Sequence, residues 1–298
     1  MECVKTKFSI KDLENLSGVK AHTIRIWEKR YDLLEPDRTD TNIRTYDIQS
    51  LQKLLNITLL YKNGYKISKI AEIPEEKINT LVREIATDKN VHNQALNSFK
   101  LSMLNFDYSL FYNTYNNLLA EKSFREVFYD VFIPLLNEIG VLWHTNTINP
   151  AHEHFISSLI KQKIVLNTER IQSLEKTNKS KTFVLFLPEN EIHEIGLLYL
   201  NYELQLKGYH TIYLGQTIPI NSLTNVQNFF PELHFISYFT VTPVEDKVEE
   251  YINEFTEKIG FKDHHLWLLG YQARHVKNEQ NQKKLKVFKS INELVEEI

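Results

Sequence analysis

The chain has 298 residues, of which 42% are hydrophobic and 24% are charged, and its formal net charge is −3. This composition is ordinary for a soluble globular protein of two or three domains and excludes a polycation. The single cysteine, Cys3, excludes an internal disulfide framework, no run approaches the ~18 apolar residues of a membrane span, and no secretory signal is visible, so we expect a cytoplasmic protein outside the membrane.

The first block of predicted helices runs from Phe8 to about Pro74. Its apolar residues follow helical spacing and are interrupted by Ser17-Gly18, which indicates a turn between two short helices. Further helices are predicted from Asp47 to Lys62 and near Ile67–Ala71. Residues 1–74 carry 13 Lys/Arg and 10 Asp/Glu, whereas the rest of the chain is acidic. This asymmetry favours a small nucleic-acid-binding module joined to an acidic body.

The second predicted helix has the pattern of a recognition helix that enters a DNA groove. Ile24 and Trp27 are expected to face inward, while polar side chains remain available for phosphates and base edges. The segment after Pro36 is predicted to form a hairpin wing whose arginines contact phosphates. Alternatively, the arginines are ordinary solvated charges. The predicted DNA-contacting residues are Thr23, Arg25, Lys29, Arg30 and Tyr31 on the helix and Arg38, Arg44 and Tyr46 on the wing.

Residues 8–74 resemble the DNA-binding domain of the MerR family. The resemblance lies in the contiguous motif S-G-V-x-x-x-T-I-R-x-W-E-x-R-Y-x-L-L-x-P-x-R-T and in R-x-Y at the wing. It implies a winged helix-turn-helix that binds double-stranded operator DNA. Residues 40–43 depart from the pattern, because the family usually has glycine-rich residues before the wing arginine. We therefore expect a hairpin tip of different shape.

Long helical patterns with almost no glycine follow between Pro74 and Gln172. Short connections between them predict an antiparallel four-helix bundle. The candidate helices are Glu75–Thr87, Asn93–Met103, Asp107–Leu119, Ser123–Trp143 and Ala151–Ser173.

Strands and helices alternate after the polar run Glu175–Lys181, which we interpret as a linker. The alternation predicts a doubly wound parallel α/β sheet. The predicted strands are Phe183–Leu187, His210–Leu214, His234–Phe239 and His265–Leu269, and the predicted helices are His193–Lys207, Ile220–Phe230, Val244–Ile259 and Ile291–Ile298. The chain is thus expected to be multidomain, with an α winged helix-turn-helix at 1–75, the bundle at 76–175 and the α/β domain at 182–298.

The motif E-x-H-x-x-G follows the first predicted strand of the α/β domain. Ligands of open α/β sheets bind beyond the carboxyl ends of the strands. At that place His193 can offer an imidazole nitrogen to a metal while Glu191 holds the other nitrogen. Gly196 lets a bulky group approach the backbone. A lone histidine after a strand is also commonly a surface or helix-capping residue, so this motif alone leaves both interpretations open.

The same motif resembles the signature of cobalamin-binding domains, and residues 214–219 and 236–240 look like the same family. In the bundle, the pattern W-x9-E-H from Trp143 to His154 resembles that of light-sensing cobalamin repressors of the CarH/LitR family, whose domain order is that of this chain. The resemblance implies that adenosylcobalamin binds between the bundle and the α/β domain.

This resemblance implies a role for each matching residue. His193 would be the lower cobalt ligand, supported by Glu191. Trp143 and Glu153 would cover the upper adenosyl group, and His154 would become the upper cobalt ligand once light breaks the cobalt–carbon bond. The residues that would accommodate the dimethylbenzimidazole tail are Gly196, Gly215, Ser237 and Gly270.

One departure keeps alternatives open, because Tyr271 replaces the second glycine of a pair that the family usually has after the fourth strand. A tyrosine there is expected to obstruct the tail, which favours a regulator of the same architecture that responds to a protein partner or another ligand. A cobalamin methyltransferase or mutase subunit is less consistent with the DNA-binding block, and no nucleophile–base constellation supports an enzyme. The favoured prediction is a non-enzymatic repressor that is a homo-oligomer (dimer or tetramer) in the dark and is dispersed by light.

Overall fold

The computed structural model describes residues 7–84, 88–277 and 284–298. Contacts between Cα atoms divide the chain into two compact units, Met1–Leu159 and Ile160–Ile298. Among the described residues, no helix has the length and apolar character needed to cross a membrane. Cys3 and the predicted helix end at Thr87 lie outside the described residues.

The first unit begins with a winged helix-turn-helix, as predicted. Its strands form an antiparallel sheet in the order β1-β3-β2, in which Phe8 pairs with Tyr46 and Arg38 pairs with Arg44. The elements are β1 Phe8–Ser9, α1 Ile10–Ser17, α2 Ala21–Tyr31, β2 Asp37–Arg38, β3 Arg44–Tyr46, α3 Ile48–Lys62 and α4 Ile67–Ile70.

Local chemistry fixes both ends of α1 and hence the direction in which α2 leaves. Ser9 and Asp12 form a capping box, in which each side chain accepts a hydrogen bond from the backbone N–H of the other residue. Gly18 ends α1 with a φ of 74°, a left-handed conformation that favours glycine. The turn lets Ile24 and Trp27 of α2 enter the core of the domain.

The second part of the first unit is the predicted helical region. Its helices are α5 Glu75–Glu84, α6 Asp88–Asn105, α7 Tyr108–Leu119, α8 Phe124–Val127, α9 Ile133–His144 and the beginning of α10 Pro150–Gln172, which continues into the second unit at Ile160. A π-helical turn, Phe128–Phe132, joins α8 to α9, so the predicted helix Ser123–Trp143 is continuous but irregular. Pro134 follows this turn, and the wider π geometry accommodates a proline ring that a regular helical interior would not.

The second unit contains a five-stranded sheet in the order β5-β4-β6-β7-β8, and every neighbouring pair is parallel. This confirms the predicted doubly wound α/β sheet. The strands are β4 Asn178–Phe186, β5 Tyr209–Gly215, β6 His234–Tyr238, β7 His265–Leu269 and β8 Leu285–Val287. The helices are α11 Ile195–Leu206, α12 Ile220–Gln227, α13 Val248–Lys258 and α14 Ile291–Glu297.

Two features of the sheet differ from the sequence-based expectation. β4 begins at Asn178, inside the polar run interpreted as a linker, because this residue pairs with Tyr209 of β5. β8 was not predicted, since three residues with Lys286 at their centre give no clear apolar run. It is nevertheless paired with β7, and Leu285 joins the apolar core between the sheet and α12 and α13.

Candidate DNA-binding surface and candidate cobalamin site

α2 has one buried face and one face rich in hydrogen-bond donors. Ile24 and Trp27 are buried, whereas the side chains of Arg25, Lys29 and Arg30 are exposed. Arg25 and Lys29 are four residues apart and therefore neighbours on the helix surface. The predicted Thr23 and Tyr31 are partly buried at the two ends of the same helix. The helix thus has the amphipathic form required of a recognition helix.

Glu28 ties the wing to α2. Its Oε1 accepts a 3.0 Å hydrogen bond from Nε of Arg44, and its Oε2 accepts a 2.9 Å hydrogen bond from the hydroxyl of Tyr46. Burial and the Glu28 carboxylate raise the pKa of Tyr46 above its ordinary value. Tyr46 is only 1% exposed. Its place in the core differs from the expectation that it reaches the DNA backbone.

The tip of the wing is shaped without glycine. Asn42 adopts a φ of 63°, which asparagine tolerates better than most residues. Its Oδ1 accepts a 2.8 Å hydrogen bond from Nη1 of Arg38, and the hydroxyl of Thr39 accepts the backbone N–H of Ile43 at 3.1 Å. These side-chain hydrogen bonds replace the glycine-rich segment that the sequence lacks, and they hold the exposed Arg38 at the tip.

The candidate residues of the bundle flank the turn between α9 and α10. Trp143 lies in the last turn of α9 and is 44% exposed, while Glu153 and His154 lie in the first turns of α10. Oε2 of Glu153 is 3.5 Å from Nδ1 of the exposed His154. His152 is instead fully buried, and its ring stacks on Phe106 at 5.0 Å. Exposed side chains can cover a ligand, whereas His152 is part of the bundle core.

In the second unit, Glu191 and His193 lie together in the loop between β4 and α11. Nδ1 of His193 is 2.5 Å from Oε1 of Glu191, which also accepts the backbone N–H groups of Ile192 and His193. Oε2 of Glu191 accepts the N–H groups of Val241 and Thr242 from the loop after β6, at 2.6 and 2.8 Å. One fully buried carboxylate therefore fixes two loops and the orientation of the imidazole.

The hydrogen bonding of this pair suits a metal ligand. Burial disfavours the carboxylate of Glu191, but hydrogen bonds from His193 and from loop N–H groups outweigh it and lower its pKa to about 2. An ionised carboxylate accepts the proton of Nδ1–H, which places the imidazole lone pair on Nε2. The side chain of His193 is 51% exposed. This arrangement is the carboxylate–histidine support usual at protein-bound metals.

The other predicted residues of this site lie where neighbouring strands end. Gly215 ends β5 with a φ of 85°, and Gly270 follows β7 with a φ of 99°. A Cβ on Gly270 would lie 2.4 Å from the carbonyl oxygen of Phe239, so this glycine is required by the fold itself. Ser237 of β6 is buried, and its hydroxyl has no hydrogen-bond partner within the described part of the chain.

The surroundings of His193 fit the lower side of a corrin-bound cobalt ion in two respects. First, the nitrogen donor of His193 is supported by a carboxylate. Second, the buried hydroxyl of Ser237 has no hydrogen-bond partner among the described residues, and a bound ligand can supply one. Large apolar side chains are also exposed at this edge of the sheet, as expected for a surface that packs against a ligand. They are Ile192, Val241, Val244 and Tyr271.

Two tyrosines lie near the candidate residues of this site. Tyr271, the expected obstruction, is 59% exposed, and the guanidinium carbon of Arg274 lies 3.4 Å from its ring centre. Tyr238 of β6 instead packs against α11 at Gly196. A Cβ built on Gly196 would lie 2.7 Å from Cε2 of the Tyr238 ring. The space beside this glycine is therefore occupied by a side chain of the protein.

A second histidine cluster, which sequence reasoning missed, lies at the opposite edge of the sheet. Ligand atoms of Glu232, His234 and His265 lie within 4.8 Å of one another. The two imidazole rings are stacked, with centres 4.1 Å apart and planes within 6°, so their nitrogen lone pairs do not converge on one point. Burial, His265 and Lys181 lower the pKa of His234 to about 3. The cluster is an aromatic stack between strand ends.

Comparisons with known proteins agree with this arrangement. Residues 8–77 match the model of the MerR HTH family regulatory protein, and residues 95–166 match that of the B12 binding domain. The chain is 27% identical over 214 residues to the HTH-type transcriptional repressor CarH of Myxococcus xanthus, covering 70% of each chain. It is 24% identical over 217 residues to the repressor CarA of that organism, covering 72% of this chain and 70% of CarA.

A solved structure supports the fold. The monomethylamine corrinoid protein of Methanosarcina barkeri aligns with a TM-score of 0.57 and 10% identity over 69% of this chain and 97% of that protein. Together these findings define a transcriptional regulator in which a MerR-type DNA-binding domain is followed by a B12-binding domain. Within that class the chain is similar to the repressors CarH and CarA over most of its length.

Proposed function

We propose that this protein is a repressor that senses light through adenosylcobalamin. The observation that carries the cofactor part is the pair of His193 and Glu191, held by hydrogen bonds from two loops at the carboxyl edge of the sheet. Repression is supported by the similarity to two repressors. Light sensing is supported by the pattern from Trp143 to His154, which resembles that of light-sensing repressors.

The proposed DNA contacts divide between α2 and the wing. The donor face of α2, with Arg25, Lys29 and Arg30, reads base edges and phosphates, and Thr23 and Tyr31 support it at the ends of the helix. The wing positions the domain through phosphates contacted by Arg38 and Arg44. Tyr46 acts indirectly, by holding Glu28 and thereby the wing.

The proposed cofactor roles follow the positions of the side chains. Nε2 of His193 would bind the cobalt ion, and Glu191 would fix the tautomer of this imidazole. Trp143 and Glu153 would hold the adenosyl group, and the exposed His154 would be available to bind cobalt once light has removed that group. The cofactor contributes a light-sensitive cobalt–carbon bond. The residues proposed to line the path of the nucleotide tail are Gly196, Gly215, Ser237 and Gly270.

The proposed output is a change in oligomeric state. Several DNA-binding heads on one dark-state dimer or tetramer raise the effective concentration at an operator, and loss of the oligomer removes that gain. We propose domain boundaries at 1–75, 76–175 and 182–298 for this switch. The protein works in the cytoplasm, where operator DNA is found, and has no catalytic activity of its own.

Purified full-length protein tests this proposal. After incubation with adenosylcobalamin in the dark, gel filtration is expected to show a coloured oligomer that retards operator DNA, and green light is expected to reduce both its size and its DNA affinity. His193→Ala should abolish colour retention, whereas His210→Ala, which changes an exposed histidine on β5, should not. A coloured protein with unchanged size and DNA affinity after light contradicts the light switch.

A second function is favoured by one observation, the ring of Tyr238 beside Gly196. In that case the protein is a MerR-type regulator that binds DNA without cobalamin and responds to a protein partner or another ligand. Operator binding that is unaffected by adenosylcobalamin, together with no chromophore in the protein peak, would support this alternative.

A further inference from the structure

The ring of Tyr238 lies against α11 at Gly196, the one residue of that helix without a side chain. Gly196 lies in the first turn of α11 and has no Cβ, yet Cε2, Cζ and Cδ2 of the Tyr238 ring lie 2.7, 2.9 and 3.2 Å from where that Cβ would stand. Distances below 3.0 Å are not found between a real Cβ and a neighbour. Any larger residue at position 196 would clash with this ring, so the observed packing requires glycine there.

The ring is also an integral part of the domain. Tyr238 is the last residue of β6, which pairs with β4 and β7, and burial raises the pKa of its hydroxyl. A rigid aromatic side chain that is packed between a strand and a helix leaves its place only by exposing its apolar surface to water. A ligand group that needs the same place must therefore compete with the ring.

We propose that Tyr238 narrows the proposed path of the nucleotide tail beside Gly196, so that this site binds corrinoids without a nucleotide tail more tightly than complete cobalamin. This inference rests on the proposed binding of a corrinoid at His193. A tail-free corrinoid makes no demand on the space beside Gly196, and it brings no base of its own to the lower face. His193, oriented by Glu191, is then the protein's lower ligand without displacement of the ring.

Titration of the full-length protein in the dark tests this inference. Adenosylcobinamide, which has no nucleotide, and adenosylcobalamin are added separately, and binding is followed by the corrin absorbance. The wild-type protein is expected to bind the cobinamide about tenfold more tightly, because the complete cofactor must displace a partly buried ring and expose its apolar surface. Tyr238→Ala should bring the two affinities close together, mainly by strengthening cobalamin binding.

Two further variants test whether the Tyr238 ring causes the preference for the cobinamide. Tyr238→Phe keeps the ring and should keep the preference, which also guards against a misfolded alanine variant. Phe229→Ala removes an exposed aromatic side chain between α12 and β6, away from this site, and should leave the preference unchanged. Equal or tighter binding of cobalamin by the wild type, or a preference that survives Tyr238→Ala, would overturn the inference but not the cofactor proposal. Binding of neither corrinoid by any variant overturns both.

Discussion

Glu191 is a buried carboxylate on which five hydrogen-bond donors converge. Four are backbone N–H groups of two loops, and the fifth is Nδ1–H of His193. Hydrogen bonds to a charged group are the stronger kind, and a buried donor that loses its acceptor is costly. This residue therefore serves the stability of the α/β unit as well as the orientation of the imidazole.

Glu191→Gln is expected to destabilise the protein by about 2 kcal/mol, since the amide supplies one acceptor oxygen and turns an NH2 group toward donors. It should also weaken corrinoid binding, because the His193 tautomer is no longer fixed. Urea unfolding and absorbance titration of the full-length protein measure the two effects. Glu189→Gln, two residues earlier and exposed, is the control. Unchanged stability in Glu191→Gln would show that the loops do not depend on the charge.

His234 makes stability depend on pH. Its pKa in the folded protein is lowered from 6.5 to about 3 by burial, by His265 and by nearby lysines. Below pH 6.5 the unfolded chain takes up a proton that the folded protein does not, so the free energy of unfolding falls as pH decreases toward about 3, by at most roughly 1.4 kcal/mol per pH unit.

His234→Phe should therefore flatten the decline in stability between pH 6.5 and about pH 5, a window that lies above the titration of Glu191. Phenylalanine suits the site because the neighbours are the rings of Phe183, His265 and Trp267. Urea unfolding at several pH values gives the slope. His210→Phe on the protein surface is the comparison, and an equally flattened slope in that variant would refute the assignment.

At the scale of elements, the wing shows how a turn is built from side-chain hydrogen bonds. Asn42 has a positive φ and also holds Arg38. Asn42→Val should strain the turn by about 1–2 kcal/mol and weaken operator binding by about tenfold, because β-branched residues avoid this conformation. Asn42→Gly keeps the backbone conformation but loses the hydrogen bond to Arg38, so its operator affinity should lie between those of the wild type and Asn42→Val. Mobility-shift titrations compare the variants, and equal affinities of Asn42→Val and wild type would contradict this role.

The sequence predicts elements with strong periodicity far better than it predicts their irregularities. The helix-turn-helix and the four long apolar strands were predicted because their patterns repeat over many residues. The π-helical turn Phe128–Phe132 and the short strand β8 depend on contacts that no local pattern reports. The same holds at the candidate site: the spacing of Glu191 and His193 is local, whereas the approach of Tyr238 to Gly196 joins β6 to α11 and was not foreseen.

At the scale of the whole molecule, polar contacts within the first unit join the DNA-binding domain to the bundle. Nδ2 of Asn15 donates to the hydroxyl of Thr147 at 3.0 Å, and Nζ of Lys100 donates to the carbonyl oxygen of Leu16 at 3.3 Å and pairs with Glu138 at 2.8 Å. The buried Thr147 lies in the turn between α9 and α10, which also links the candidate adenosyl-binding residues.

Asn15→Ala should reduce the difference in operator affinity between dark and illuminated protein by several-fold, because it removes a contact between α1 and that turn. Binding of the corrinoid itself should be unchanged. Paired mobility-shift and absorbance titrations separate the two properties. Asn113→Ala, at an exposed position of α7, should leave both unchanged. If the light response of Asn15→Ala equals that of the wild type, this contact does not transmit the signal.

The two bonds that Glu28 makes to the wing have a consequence for the operator itself. α2 and the wing are therefore held as one rigid unit. The distance between the bases contacted by α2 and the phosphates contacted by the wing is fixed. One extra base pair between those two places moves them apart by about 3.4 Å along the duplex. We expect operators of this protein to tolerate base changes in that interval much better than insertions or deletions of equal number.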